Sequence, residues 1–302
     1  MRNHISGLEK ERKKLLFPFI FPALLIYIVF FVFPAINALY YSLFDWSGFT
    51  SEKIFIGLKN FSELFYDRYF WVTTGRSFII VFIGGVFIFG LAMIFSAFIS
   101  SGIRFGKTFK NIIFFPVVIP PVAITVLWSF IYNSSWGLLN NILNSIGLAS
   151  LVREWTSVNN IFWSMLVMII WTYVGFYLVI LMSAIGKIPQ ELYEVAKIEG
   201  ANIFQVYFKI TIPLIWDVLT VALVYWGIFG LKLFEIVYSF TGFIPKQSIW
   251  TLPVYLYIIG FGKIDPIYRL GYSTALSVML FIFVMIFVIV SRKILTRETI
   301  EY

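Results

Sequence analysis

Six stretches of the chain are apolar over enough residues to cross a bilayer, near 15–41, 77–101, 111–132, 161–185, 214–240 and 271–291. A helix rises about 1.5 Å per residue, so about 20 residues span a hydrocarbon core roughly 30 Å thick. The pattern predicts an all-α integral membrane protein with six transmembrane helices. Composition agrees: 60% of the 302 residues are hydrophobic and only 13% charged, where a soluble domain is about half apolar and about a quarter charged. Many of the 35 Phe, 17 Tyr and 10 Trp lie near the ends of the apolar runs, where amphipathic rings favour the headgroup region. Pro18, Pro22, Pro34, Gly84, Gly85 and Pro116 fall inside the runs and are tolerated there, because neighbouring helices and waters satisfy the freed backbone groups. Pro120 and Pro121 together predict a bend in the third span.

Charge sets the orientation. The net charge is +8, which in a soluble protein would hint at nucleic acid. Here the basic residues sit at the ends of spans, so no nucleic-acid partner is expected. With the N-terminus placed in the cytoplasm, fourteen of the 23 Lys and Arg fall inside and eight outside, Lys232 lying within the fifth apolar run. That bias predicts both termini in the cytoplasm and a multi-pass protein of a prokaryotic cell membrane. Residues 1–14 and 292–302 then form cytoplasmic tails around a six-helix membrane domain, 15–291. The basic run at 9–14 leads into apolar sequence with no small-residue cleavage pattern, so the first span is read as retained. There are no cysteines, which excludes disulfides, thiol catalysis and Cys-ligated metal. The single histidine, His4, lies in the charged tail, and no metal site is expected.

The loops carry local signals. Asn60 followed by Glu63 has the spacing of a capping box, with Phe61, Leu64, Phe65 and Phe70 placed on the outer membrane surface. The segment 136–148 predicts a turn and a short amphipathic helix. In Ser101-Gly-Ile-Arg-Phe-Gly-Lys-Thr108 the phosphate-cradling pattern is almost matched, but Gly102 is one position too close. A phosphate loop also needs a preceding strand, so this basic turn is read as a topological anchor, and no ATP site is expected in this chain. Lys232 and Glu235 are charges in an apolar run. By helical rise Lys232 lies about 29 Å beyond Pro213, near the outer surface, so snorkelling or mutual pairing at i,i+3 competes with a role at the outer mouth of a pathway. Asp217 lies close to the inner surface.

Between the fourth and fifth runs lies a polar island. Pro189 suits the first position of a helix, and Glu191 and Glu194 favour its positive end. Gly200 would end that helix in a left-handed conformation, Asn202 would cap a second, and Pro213 would open the fifth span. The charge count places this helix-turn-helix in the cytoplasm. Taken alone, it is also compatible with an ordinary amphipathic connector.

The order Glu194-Val-Ala196, Gly200, Ile210-Thr-Ile-Pro213 resembles the EAA signature of binding-protein-dependent ABC importer permeases. Every spacing agrees, with Val195 in place of Ala and Ile212 in place of Leu. Gly57-Leu-Lys-Asn-Phe61, Gly137-Leu-Leu-Asn140, Thr251-Leu-Pro253 and Gly271-Tyr-Ser-Thr-Ala275 are similar to the maltose-type, carbohydrate branch. One outer loop departs: Thr241-Gly-Phe-Ile-Pro245 stands where that branch has a glycine-rich turn. The resemblance implies a cytoplasmic coupling helix within the loop 187–213, with Glu191, Glu194, Ala196, Gly200, Ala201 and Pro213 meeting an ATPase. It implies a second, related permease subunit, two ATPase subunits that hold ATP and Mg, and an extracytoplasmic substrate-binding protein. It also implies a carbohydrate path past Thr172, Tyr173 and Phe176 on the fourth span and Trp226, Gly230 and Leu233 on the fifth, though the same positions serve equally well as helix packing. On this reading the chain is a transport subunit and not an enzyme. A non-sugar solute such as glycerol phosphate is the alternative. An ion-coupled secondary transporter would need a charged relay at mid-depth, which the spans lack. An intramembrane enzyme would need a nucleophile–base pair or metal ligands, for which little is available.

Overall fold

The computed structural model describes residues 18–242, 245–263 and 268–296. α1 (Pro18–Tyr41) leads to a two-stranded antiparallel hairpin, β1 (Phe44–Asp45) and β2 (Ile54–Phe55), and to the short α2 (Lys59–Tyr66). α3 (Arg68–Ser100) is a continuous helix of 33 residues. α4 (Gly106–Val118) and α5 (Pro121–Ile131) meet at 104°, and α6 (Leu138–Ser145) follows. α7 (Ile161–Ile185) precedes α8 (Gln190–Ile198). α9 (Ile203–Leu214) and α10 (Trp216–Leu231) form a second broken pair, bent by 74°. α11 (Glu235–Ser239), α12 (Leu252–Phe261) and α13 (Leu270–Leu295) complete the described chain. Four helices are long and apolar enough to span alone, and six spans result if each broken pair counts as one. The fold is thus a membrane-embedded, all-α one.

The chain divides into two compact units, one of residues up to Tyr66 with Ile259–Val278, the other of Asp67–Ile258 with Met279 onward. In the first, the hairpin is tied down by backbone groups. The Asn60 side-chain amide donates to the carbonyls of Ser42 (2.8 Å) and Phe44 (2.9 Å), and the Gly271 amide donates to Trp46 O (2.9 Å). Arg269 makes a two-pronged contact with Glu63, both arms 2.7 Å. The Glu63 hydrogen bonds raise the Arg269 pKa, so the guanidinium stays charged at any working pH. Both side chains are more than a third exposed, so the pair contributes at most about 1 kcal/mol. None of the most apolar stretch of α1 is buried within the chain. A helix apolar on every side and uncovered by protein requires lipid or another subunit around it.

The second unit is built around α7. Met165, Met168, Ile169, Tyr177, Leu178 and Leu181 are almost fully buried along it. α3 and α4 flank this helix, and the Phe89 and Tyr177 rings meet at 4.6 Å. Gly175 sets how closely α4 approaches. A Cβ there would overlap the Ile113 carbonyl and the Phe114 backbone, so the two helices touch main chain to main chain. The Trp226 indole, on α10, donates to Val81 O at 2.9 Å. Val81 lies in a π-turn of α3, Ile80–Gly84, where the helical ladder is loosened. Phe283 of α13 stacks on Phe70, and Phe287 meets Phe82 edge-on.

The structure corrects several expectations. The second span begins at Arg68, nine residues before 77, because Asp67 caps it by accepting from the Tyr69 amide. Phe70 therefore lies inside a packed helix and is fully buried rather than on the membrane surface. Asn60 lies within α2 and does not cap it, since its amide is committed to the hairpin carbonyls. Pro120 and Pro121 break the third span outright. The fifth apolar run starts at the last residue of α9, holds two helices, α10 and α11, and leaves the first of them at Lys232, whose backbone forms the C-cap of α10, rather than at 240. Lys232 and Glu235 are both exposed, and no ion pair joins them. The near-miss phosphate loop follows a helix and not a strand. Residues 1–14, 243–244 and 297–302 lie wholly outside the described residues, so the N-terminal tail, most of the C-terminal tail and part of the divergent loop at 241–245 are not described.

Replacing Gly175 with Leu is expected to push α4 off α7. Overpacking of this kind costs about 1–3 kcal/mol or more, so thermal unfolding in detergent should shift down by several degrees while Gly90→Leu, at an open position, should not.

Candidate functional site: the polar island and the helices it grips

The island is stiffened at every joint. Pro189 is the N-cap residue of α8, one position before the expected site, with Glu191 in the first turn and Lys197 in the last, both favourable to the helix dipole. At the far end Gly200 adopts φ +75°, a left-handed backbone that side-chain-bearing residues avoid. The Ala201 amide donates to Ala196 O (2.9 Å) and the Gly200 amide to Lys197 O (3.1 Å), the paired bonds of a Schellman termination. Asn202 then starts α9 with a reciprocal box. Its Oδ1 accepts from the Gln205 amide at 2.9 Å, and its own amide donates to Gln205 Oε1 at 2.8 Å. The turn thus leaves few orphan backbone groups.

One hydroxyl contact ties the island's two helices together and another binds the island to a membrane helix. The Tyr193 and Thr211 hydroxyls lie 3.3 Å apart, linking α8 to α9. Tyr207, on α9, shares a 2.7 Å hydrogen bond with Ser96 of α3, both side chains buried. A third bond closes the joint at the top of α9: the Trp216 indole donates to Leu295 O at 2.8 Å, at the end of α13. Ala196 is buried against this base, while Glu191, Glu194 and Gly200 are exposed and Ala201 is half-buried. Val195 and Ile198 expose 57% and 85% of their surface, so the outward face of α8 is apolar with carboxylates beside it. Pro213 lies in the last turn of α9, and the bend falls two residues later, at Ile215. A cleft of ≈ 540 Å³ separates the island from the ends of α3 and α7, lined by Ser100, Met182, Tyr193, Lys197 and Thr211 among others.

The six candidate pathway residues divide into two groups. Thr172 is buried and donates back to Met168 O at 2.8 Å, and Trp226, Gly230 and Leu233 are buried in packing. Tyr173 and Phe176 are half-buried, and Phe176 lines an apolar groove of ≈ 450 Å³ with Ile180, Val221 and Tyr225. A more polar cavity of ≈ 480 Å³ lies beyond α5 and α11, lined by Thr125, Ser129, Tyr132, Thr156, Ser239 and Thr241. Within it the Thr125 hydroxyl donates to Ser239 Oγ at 3.3 Å. Sequence reasoning passed over these hydroxyls. Thr125 and Ser129 stand four residues apart in the broken third span, and that spacing was the available signal.

A family model of binding-protein-dependent transport system inner membrane components matches residues 88–299. The chain is 34% identical over 278 residues to a probable ABC transporter permease, YurN of Bacillus subtilis, covering 90% of this chain and 92% of that one. It is 31% identical over 299 residues to the trehalose/maltose transport system permease MalF of Thermococcus litoralis, 97% of each chain. It is also 31% identical over 285 residues to the sn-glycerol-3-phosphate transport system permease UgpA of Salmonella typhi, 90% of each. A chain of a bacterial ABC transporter that imports alginate superposes with a TM-score of 0.82 over 97% of this chain and 99% of its own, at 22% identity, a likeness of fold alone. In this family ATP hydrolysis resides in separate ATPase subunits. Island, broken spans and family match agree, and the chain belongs to the binding-protein-dependent inner membrane components, as a membrane permease subunit of an ABC importer.

Proposed function

We propose that this subunit forms half of a translocation pathway for a carbohydrate, and that residues 187–213 couple it to a cytoplasmic ATPase. The carrying observation is the clamp between the island and the bundle. α8, ended by a Schellman turn, leads directly into the capped α9, and α9 is fixed to α3 through Tyr207 and Ser96, so a push on α8 is passed to the bundle. Val195 and Ile198 offer apolar area to a groove on the partner. Glu191 and Glu194 offer charged hydrogen bonds of about 1.5–3 kcal/mol each. The exposed backbone at Gly200 allows close approach. ATP and Mg are held by the two ATPase subunits, a second permease subunit completes the path, and an extracytoplasmic binding protein delivers the solute. Closure of the ATPase pair swings α9 about Ile215, and the bend carries the motion into α10 and, through Trp216, to α13.

The hydroxyl-lined cavity supports a carbohydrate. Its Thr and Ser groups can exchange hydrogen bonds with sugar hydroxyls, and the Tyr132 ring can face an apolar sugar surface. The trehalose/maltose relative supports the same class, and the glycerol-phosphate relative keeps a small phosphorylated polyol as the second reading. Tyr173 and Phe176 then line the path, and Thr172, Trp226, Gly230 and Leu233 set the helix spacing behind them. Lys232 and Glu235 stand exposed beyond α10, toward the outer mouth. Both termini and the island face the cytoplasm.

The substrate class is tested by screening the cognate binding protein by calorimetry against neutral oligosaccharides and glycerol phosphate. Heat released only by the phosphate would replace the sugar reading. Glu194→Lys and Gly200→Trp should insert normally but weaken ATPase association by about tenfold or more, the equivalent of one charged hydrogen bond; unchanged stimulated ATPase and uptake in both would overturn the coupling role. Asn202→Ala should remove about 1 kcal/mol of cap stability, read as faster tryptic cleavage at Lys197 or Lys209 and as more ATP consumed per solute.

A further inference from the structure

At the end of α3 remote from the island, Arg68, Arg76, Lys246, Gln247 and Ser248 line a cleft of ≈ 560 Å³ whose lining includes no Asp or Glu. Among the described residues none of its three cations forms an ion pair. Arg76 donates to Gln247 O at 2.7 Å, which shapes the wall of the cleft. Lys246 donates to Thr156 O at 3.0 Å. A guanidinium has five N–H donors and an ammonium three, so most of their donors remain available. The Ser248 hydroxyl is buried with no hydrogen-bond partner. Three like charges around one cleft repel each other unless an anion enters. Arg76 lies about 36 Å along α3 from Ser100, which lines the island's own cleft, farther than a core of about 30 Å is thick. The two clefts therefore open on opposite faces of the membrane.

We propose that this cationic cleft receives Asp or Glu side chains of the extracytoplasmic binding protein on which the family depends. The proposal rests on the island facing the cytoplasm. The rim favours a docking protein, because Arg68, Lys246 and Gln247 are exposed at the mouth, where charges chiefly steer encounter and set its salt dependence. Lys246 also borders the hydroxyl-lined cavity, so an acidic residue docked here brings the binding protein beside the polar entrance.

The test uses the assembled importer in nanodiscs of neutral phosphatidylcholine, with binding protein titrated against stimulated ATPase activity at low and high salt. Arg68→Glu and Arg68→Glu with Lys246→Gln alter exposed groups, so gel filtration should show normal assembly. The half-maximal binding-protein concentration should rise about tenfold at low salt, with a flattened salt dependence, and Arg68→Lys should behave as wild type. Unchanged half-maximal concentration and salt dependence in the double variant would overturn the proposal. So would intact binding-protein affinity with selective loss of uptake of an acidic saccharide such as trigalacturonate, which would give the cleft to the solute. Failure of the coupling role appears separately, as normal ATPase association in Glu194→Lys.

Discussion

Hydrocarbon offers the backbone no hydrogen-bond partner, and each unpaired group there costs several kcal/mol. A membrane chain can leave the helix only where something else receives its amides and carbonyls. The two internal breaks obey that rule. At the first, Pro120 and Pro121 have no amide to satisfy, while Ile119 donates to Pro116 O and Ile124 to Pro120 O. At the second, the Ile215 amide reaches Thr211 O and the Leu219 amide reaches Ile215 O, so the bend is crossed without an orphan amide at either residue. The Trp216 indole there caps Leu295 O, one of the carbonyls that a helix end leaves without an intrahelical partner.

From that constraint follows a mechanical arrangement. α9 is held at its base by the capping box and at its top by the bend, and between them Tyr207 grips Ser96 in the buried flank of α3. α8 passes to α9 through a capped turn, and α9 itself carries a π-turn at Tyr207–Thr211, the segment that holds the Ser96 contact. α7 provides the fixed side. It is buried along its length, and Gly175 lets it touch α4 through main chain. In the other unit, none of the most apolar stretch of α1 is buried within the chain, which leaves that surface to lipid or to other chains.

Much of the island was legible in advance because its determinants are local. Gly200 at a left-handed position, Asn202 three residues before Gln205, and carboxylates at a helix start act over one or two turns. The fourth span was read to the residue, at Ile161–Ile185, because its flanks are polar turns. Where the reading failed, distant partners had intervened. Asn60 has the chemistry of a cap, but carbonyls at Ser42 and Phe44 captured its amide. Phe70 looked like a surface aromatic until Phe283 covered it. The fifth run was too apolar for hydropathy to reveal that it is divided between two helices, with a sharp bend at its start. The hydroxyls at Thr125 and Ser239 seemed unremarkable, since 114 positions separate two groups that end 3.3 Å apart.

Sequence alone determined the solvent, the helical class, the approximate spans and the capped island, because apolar length, cap chemistry and glycine's left-handed freedom are properties of short segments. Only the tertiary structure decided how sharply the spans break, which hydroxyls grip which helices, and where three cations gather around one cleft. Those outcomes bring together residues far apart in the chain, as Arg68 and Lys246, 178 positions apart, line one cleft, and no local pattern encodes which distant group will arrive.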